Sequence, residues 1–206
     1  LRAALVDYGA GNLRSVERAL VRVGFRVTRA ERPEELEGAD LAVLPGVGAF
    51  GPAVRRLAQM GFVDALRGWV GGGKPLLGLC LGMQLLFEWS EEDGLYPGLG
   101  LLAGRVVRLP DGVKVPHMGW NRLELTKPSP VTAHVTSGEY VYFVHSYYVR
   151  TDADRVVAEA RYGVRVPAVV VAGRVVGFQF HPEKSGDVGR RLLQGVWEQV
   201  AGEVRR

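Results

Sequence analysis

The sequence predicts an α/β fold, an open and mostly parallel central sheet flanked by helices on both faces, with an antiparallel section in the second half. Three observations predict it. Short apolar runs alternate with helical patterns through the first half of the chain, strand-like segments separated by short turns follow from about Leu101, and apolar residues at a period of four close the chain. Strands alternating with helices imply parallel βαβ units with helices packed on both faces of the sheet.

Each element has its own signal. "AALVDY" is a buried strand, the turn "GAGN" follows it, and Leu13, Val16, Leu20 and Val23 recur at helical spacing. "RVTRA" is a second strand, and "DLAVLP" a third that stops at Pro45. Phe62, Val63, Leu66, Trp69 and Val70 mark a helix face, which "GGGKP" ends with a turn signal. "LLGLC" is a fourth strand, and Met83, Leu86 and Phe87 are placed on the helix after it. "LLAGRVVRL", "NRLELT", "EYVYFVHSYYV", "RVVAEA", "VPAVVVA" and "RVVGFQF" form the antiparallel section, and Val188, Leu192, Val196 and Val200 the last helix. With no internal repeat, low-complexity tract or linker, residues 1–206 are expected to form one domain.

Composition narrows the function classes. The chain has 206 residues, 47% apolar and 23% charged, which is ordinary for a globular protein. Its apolar runs are far shorter than the ~20 residues of a membrane span, and the start lacks a secretory signal pattern. The single cysteine excludes an intrachain disulfide framework, so a cytoplasmic location is expected. The net charge of +4 comes from scattered residues, mostly arginine, where nucleic-acid binding shows as a concentrated patch. Neither a nucleic acid nor a membrane is expected as partner.

The cysteine carries the first chemical signal. Gly78-Leu79-Cys80-Leu81-Gly82 has the form G-x-C-x-G on an expected strand-to-helix turn, the pattern of a nucleophile elbow with sulfur in place of a hydroxyl. Such a turn lifts the side chain above the carboxyl ends of the strands, where open α/β sheets bind ligands, and the start of the helix favours the thiolate. "GFQFHPEKS" supplies a second signal: Val175 to Phe180 reads as a strand with His181 at its end. A cysteine nucleophile needs a base, and a carboxylate on the far ring nitrogen fixes the tautomer of that base. Glu183 is two residues on and would point the same way as His181 on a continuing strand. A third is "LPGVGAF", again at a strand end, whose glycine-rich backbone can present N–H groups to an oxyanion.

In this order and spacing, "PGVGAF", "GLCLGMQLL" and "GFQFHPEKS" resemble the class I (triad) glutamine amidotransferases over nearly the whole chain. The resemblance implies a glutaminase in which Cys80 is the nucleophile, His181 the base and Glu183 its orienting partner. It implies an oxyanion hole from Val47, Gly48 and Leu81, and glutamine binding by Gly46, Gly48, Gln84, His145, Ser146 and Tyr147. It implies no metal and no organic cofactor; His117, His134 and His145 lie in strand or turn contexts and read as structural rather than ligating histidines.

"DYGAGN", "VPHMGWN" and "YFVHSYY" narrow the resemblance to the glutaminase subunits of imidazole glycerol phosphate synthase. These form a heterodimer with a (β/α)8-barrel cyclase subunit that consumes the ammonia in histidine biosynthesis. The resemblance then places Asn12, Trp120, Tyr142 and Lys184 at or near the cyclase interface. A glutaminase serving anthranilate or pyridoxal phosphate formation stays open, although "PHMGWN" argues against both. A partnerless γ-glutamyl hydrolase and a non-enzymatic thiol switch also stay open.

Overall fold

The computed structural model describes residues 1–204. The first half alternates as expected, through β1 (Arg2–Val6), α1 (Leu13–Arg22), β2 (Arg26–Ala30), β3 (Leu41–Leu44), α2 (Phe50–Gln59), α3 (Phe62–Gly71), β4 (Leu76–Leu79) and α4 (Leu81–Leu85). The helix α2 has no counterpart in the sequence reading, because Gly51 and Pro52 look like a turn. Both fall in its first turn, where a proline removes no intrahelical hydrogen bond.

The second half contains β5 (Phe87–Ser90), β6 (Tyr96–Pro97), β7 (Leu102–Arg108), β8 (His117–Arg122), β9 (Glu124–Leu125), β10 (Tyr140–His145), β11 (Tyr147–Arg150), β12 (Val156–Tyr162), β13 (Val164–Ala172) and β14 (Val175–Phe178), then α5 (Gly186–Val204). Several boundaries differ from expectation. Phe87 belongs to β5 and not to the helix after Cys80, since that helix ends after five residues at Leu85. "EYVYFVHSYYV" is two strands of different sheets with Ser146 between them, and "NRLELT" is likewise divided between β8 and β9. The strand before His181 stops at Phe178.

The main sheet has eight strands in the order β2-β1-β3-β4-β14-β13-β12-β9. The pairings from β2 through β14 are parallel, and those from β14 through β9 antiparallel. So only part of the antiparallel section extends the main sheet. The rest forms a two-stranded ribbon, β10-β8, and a four-stranded sheet, β11-β7-β5-β6.

Two cores sandwich the main sheet, and successive residues of β1 show how. Ala3 and Leu5 pack with Val16 and Leu20 of α1, Leu192 and Val196 of α5, and Phe143 of the ribbon. Ala4 and Val6 pack on the other face with Phe50 and Leu57 of α2, Leu66 of α3 and Val106 of β7. A strand covered on both faces reads as a continuous apolar run, which is why β3, β4 and β14 are buried throughout.

The sheet order determines what meets what. The strands β3, β4 and β14 are adjacent and parallel, so "PGVG", Cys80 and His181 all emerge at one end of three neighbouring strands. Backbone packs on backbone here, since a methyl group on Gly82 would lie 1.9 Å from the Leu44 carbonyl oxygen. We expect Gly82→Ala to lower the unfolding free energy by ~3 kcal/mol. Gly68→Ala, in open space within α3, should raise it by ~0.5–1 kcal/mol. Urea unfolding midpoints check both, and equal effects would mean the tight approach relaxes freely.

Candidate active site

The turn after β4 is strained at its central residue. Cys80 has φ 52° and ψ −111°, a conformation that costs a non-glycine residue on the order of 1–3 kcal/mol. The surroundings hold it there. Its N–H donates to the Phe178 carbonyl at 2.7 Å, and its own carbonyl accepts from the Gln84 N–H at 3.2 Å. The thiol is nearly buried, 3.8 Å from the Val144 carbonyl oxygen, and opens onto a cavity of about 330 Å³.

Of the residues expected at the site, Val47, Gly48, Cys80, Leu81, Gln84, His145, Ser146, Tyr147 and His181 line this cavity. Gly46 does not. It is wedged against the elbow, where a methyl group would come within 2.8 Å of Leu81 Cβ, so its place is behind the cavity-lining Val47–Gly48 segment. Gly48 has φ 95°, in the region glycine tolerates and other residues avoid. Leu81 is the first residue of α4, and a helix offers no internal acceptor to the N–H at that position.

His181 and Glu183 meet, though not as the sequence reading supposed. The strand has already ended, and a 3-10 turn over Pro182–Lys184 folds the carboxylate back so that Glu183 Oε1 lies 2.8 Å from His181 Nδ1. A carboxylate only accepts, so in the neutral ring Nδ1 carries the proton and Nε2 keeps its lone pair free. His181 Nε2 is buried with no hydrogen-bond partner in the protein. Burial opposes a charge on His181, yet Cys80 and Glu183 outweigh it and raise the pKa from 6.5 to about 10. The turn is tied to the ribbon as well: His181 N–H donates to the Tyr142 carbonyl at 2.9 Å, and the Ser185 hydroxyl bridges the His181 carbonyl and the Tyr142 N–H.

The four residues expected at a partner surface separate into two groups. Asn12 directs its side-chain N–H groups inward, donating to Glu183 Oε1 behind the histidine. Trp120, Tyr142 and Lys184 cluster on the outer face of the ribbon. Trp120 is 56% exposed and faces Tyr142 across the strand pair, ring edge to face at 5.9 Å, with Lys184 Nζ 6.0 Å from the Tyr142 ring. Met118 and Tyr140 continue this exposed face.

Two groups at the site escaped the sequence reading. Among the described residues, Glu92 is the carboxylate that lines the cavity, its Oε2 accepting from the Phe50 N–H at 2.9 Å. Burial is the main influence on it and raises its pKa. "SEEDG" has the look of an exposed acidic turn, so nothing in the sequence marked it. Gln179 is fully buried with Nε2 3.9 Å from Cys80 Sγ, and its signal was only its place in the strand two residues before His181. Among the described residues, no group of three or more His, Cys, Asp or Glu side chains could hold a metal ion, and no helix is long and apolar enough to cross a membrane.

A thiol on a strained elbow, a buried histidine–glutamate pair and a glycine-rich segment around one cavity form an acyl-transfer constellation. A family model described as glutamine amidotransferase class-I matches residues 4–195. The chain belongs to the class I glutamine amidotransferase family. Curated relatives within this amidotransferase family include imidazole glycerol phosphate synthase subunit HisH of Geobacillus sp. (strain WCH70), 52% identical with 97% of each chain covered. The subunit of the same name from Geobacillus kaustophilus (strain HTA426) is 54% identical, with 92% of each covered. The amidotransferase fold recurs in a solved structure described as a glutamine amidotransferase, with TM-score 0.76, 24% identity, and 97% and 98% of the two chains covered. PurLQS from Thermotoga maritima shows it too, with TM-score 0.75, 22% identity and the same coverage.

The lifted pKa of His181 in this amidotransferase depends on its sulfur neighbour. In Cys80→Ala the burial penalty stays while the thiol's contribution disappears. We expect the His181 titration, followed by nitrogen-15 NMR, to move down by at least one pH unit, on the order of 1.4 kcal/mol of lost interaction. An unmoved titration would mean the pair is not coupled.

Proposed function

We propose that this chain is the glutaminase subunit of an imidazole glycerol phosphate synthase, a single amidotransferase domain over residues 1–206 that feeds ammonia to a (β/α)8-barrel cyclase. The observation that carries the reading is Cys80 on its elbow, facing the same cavity as His181 Nε2, in a chain matched over its length by subunits of that synthase. A single cysteine, with no disulfide to protect, suits a reducing cytoplasm.

The proposed chemistry uses the groups in place. The Cys80 thiolate attacks the side-chain amide carbon of glutamine, and the carbonyl π electrons move onto oxygen. That oxyanion is met by the Leu81 N–H and by the N–H of the Val47–Gly48 peptide. His181 Nε2–H protonates the amide nitrogen as the C–N bond breaks, and ammonia departs. The neutral imidazole then takes a proton from water, whose oxygen attacks the thioester carbon. Collapse expels the thiolate and leaves glutamate. Glu183 holds the Nδ1–H tautomer throughout, with Asn12 supporting it. Glu92 faces the substrate's ammonium, and the His145-Ser146-Tyr147 wall lies along its backbone.

The face made by exposed Met118, Trp120 and Tyr140 with half-buried Tyr142 supports docking of the cyclase, with Lys184 at its edge. Through Ser185 and the Tyr142 backbone, that face is joined to His181.

Cys80→Ser is expected to lose essentially all glutaminase activity while keeping fold and cyclase binding, since a hydroxyl lacks the thiolate's nucleophilicity near neutral pH. Activity within tenfold of the unmodified chain would reject the nucleophile assignment. The deciding experiment for the whole reading is a glutaminase assay with and without the cyclase and its nucleotide ligand. Rotation of the Val47–Gly48 peptide exchanges a carbonyl for an N–H at the oxyanion position, and one such donor is worth about 10²–10³ in rate. We expect at least about hundredfold stimulation in the liganded complex, blunted in Gly48→Ala with complex formation retained. Full activity in the isolated chain would favour a partnerless hydrolase instead.

A further inference from the structure

The chemistry above makes no use of His117, although it is buried on the inner face of the ribbon, stacked between Tyr162 at 3.9 Å and Phe143 at 4.7 Å. Its Nδ1 lies 2.9 Å from His145 Nε2, and its Nε2 lies 3.2 Å from Asn121 Nδ2. His145 Nδ1 in turn lies 2.8 Å from the Tyr147 carbonyl oxygen.

The proton positions follow from either end. A carbonyl only accepts, so His145 Nδ1 carries hydrogen. Burial pushes the His145 pKa down to about 3 and that of His117 to about 4, so both rings are neutral. His145 Nε2 is therefore bare and takes its hydrogen from His117 Nδ1. At the other end, Asn121 is oriented independently, because its Oδ1 accepts from the Arg122 N–H at 2.8 Å and its Nδ2 donates to the Arg161 carbonyl at 3.0 Å. Its nitrogen must then face His117 Nε2, which accepts and leaves the hydrogen on Nδ1. Both ends require the same tautomers.

The chain runs on into the site. The Tyr147 oxygen also accepts from Gln84 Nε2 at 2.9 Å, and the same nitrogen donates to Gln179 Oε1 at 3.0 Å. Gln179 thereby turns its Nε2 toward Cys80 Sγ. With both hydrogens of Gln84 engaged, only its Oε1 is left to offer the cavity.

We propose that His117, His145 and Gln179 are positioning residues in a chain of neutral hydrogen bonds from the partner-facing ribbon to the pocket: the histidine arm pins the Tyr147 carbonyl, which together with Gln179 Oε1 takes both Gln84 hydrogens and leaves Gln84 an acceptor-only group, while Gln179 aims an amide N–H at the Cys80 sulfur. The inference rests on the glutaminase reading. It makes Gln84, beside Glu92, a receptor for the substrate's ammonium. A flipped Gln84 would present hydrogens there and repel it.

The test has two arms. Nitrogen-15 NMR of the unmodified chain from pH 6 to 8 should show both imidazoles as Nδ1–H tautomers, a readout independent of catalysis; an Nε2–H tautomer at either would overturn the chain. In the cyclase complex, His117→Phe keeps the stacking and removes the donor. It should raise KM for glutamine about tenfold while kcat stays within about threefold, as expected for a lost hydrogen-bond constraint on an ion-binding group. His117→Asn, which restores a donor at the Nδ1 position, should recover most of that loss. Unchanged KM in folded His117→Phe, or equal damage in both variants, would reduce His117 to packing. Should His117→Phe fail to fold, Gln179→Met decides: alkylation of Cys80 by iodoacetamide at pH 7 should slow about fivefold, the effect of one lost hydrogen bond, and an unchanged rate would refute the proposal. Normal tautomers with no glutaminase activity in the unmodified complex would instead reject the function and leave the chain standing.

Discussion

The site depends on one close approach. Gly82 sits so near the Leu44 carbonyl that no side chain fits between them. This lets the start of α4 lie directly on the end of β3, and it brings the Leu81 N–H and the Val47–Gly48 segment to the same cavity. Gly46 meets the elbow from the other side under the same restriction. Tyr8 supports that wall, donating its hydroxyl to the Pro45 carbonyl at 2.9 Å, and burial, with the nearby Cys80, raises its pKa. Any thickening of this contact would separate Cys80 and the Leu81 N–H from the Val47–Gly48 segment.

That packing also explains how a cysteine in an unfavourable conformation persists. Its backbone is tied to β14 through Phe178 and to α4 through Gln84. Each tie leads to another wall of the cavity, since β14 delivers His181 and Gln84 lines the cavity beside it. Strain is thus confined to one residue and held by rigid elements on either side.

Much of this was legible in the sequence, and the exceptions share a cause. Parallel strands buried on both faces announce themselves as apolar runs, so β1, β3, β4 and β14 were visible, and the residues that follow the last three pointed to Gly48, Cys80 and His181. Their adjacency was not visible, because sheet order depends on long-range pairing that no local pattern records. Helix α2 was hidden by a glycine and a proline tolerated only at its start. Glu183 was paired with His181 on the supposition of a continuing strand, whereas a 3-10 turn makes the contact. Glu92, Gln179 and the orientation of Asn12 are tertiary facts: each is an ordinary polar residue until the fold brings a partner to it.

Ser146 separates β10 from β11, and those strands belong to different sheets. The pocket wall is therefore also the seam at which the outer ribbon joins the four-stranded sheet. With only one residue at the seam, the ribbon has no slack of its own. A shift of even an ångström in it must be taken up at the cavity wall or by slippage of a strand register. Ribbon and pocket thus form one mechanical unit, and grafting the ribbon of another amidotransferase onto this chain would import that protein's pocket geometry with it.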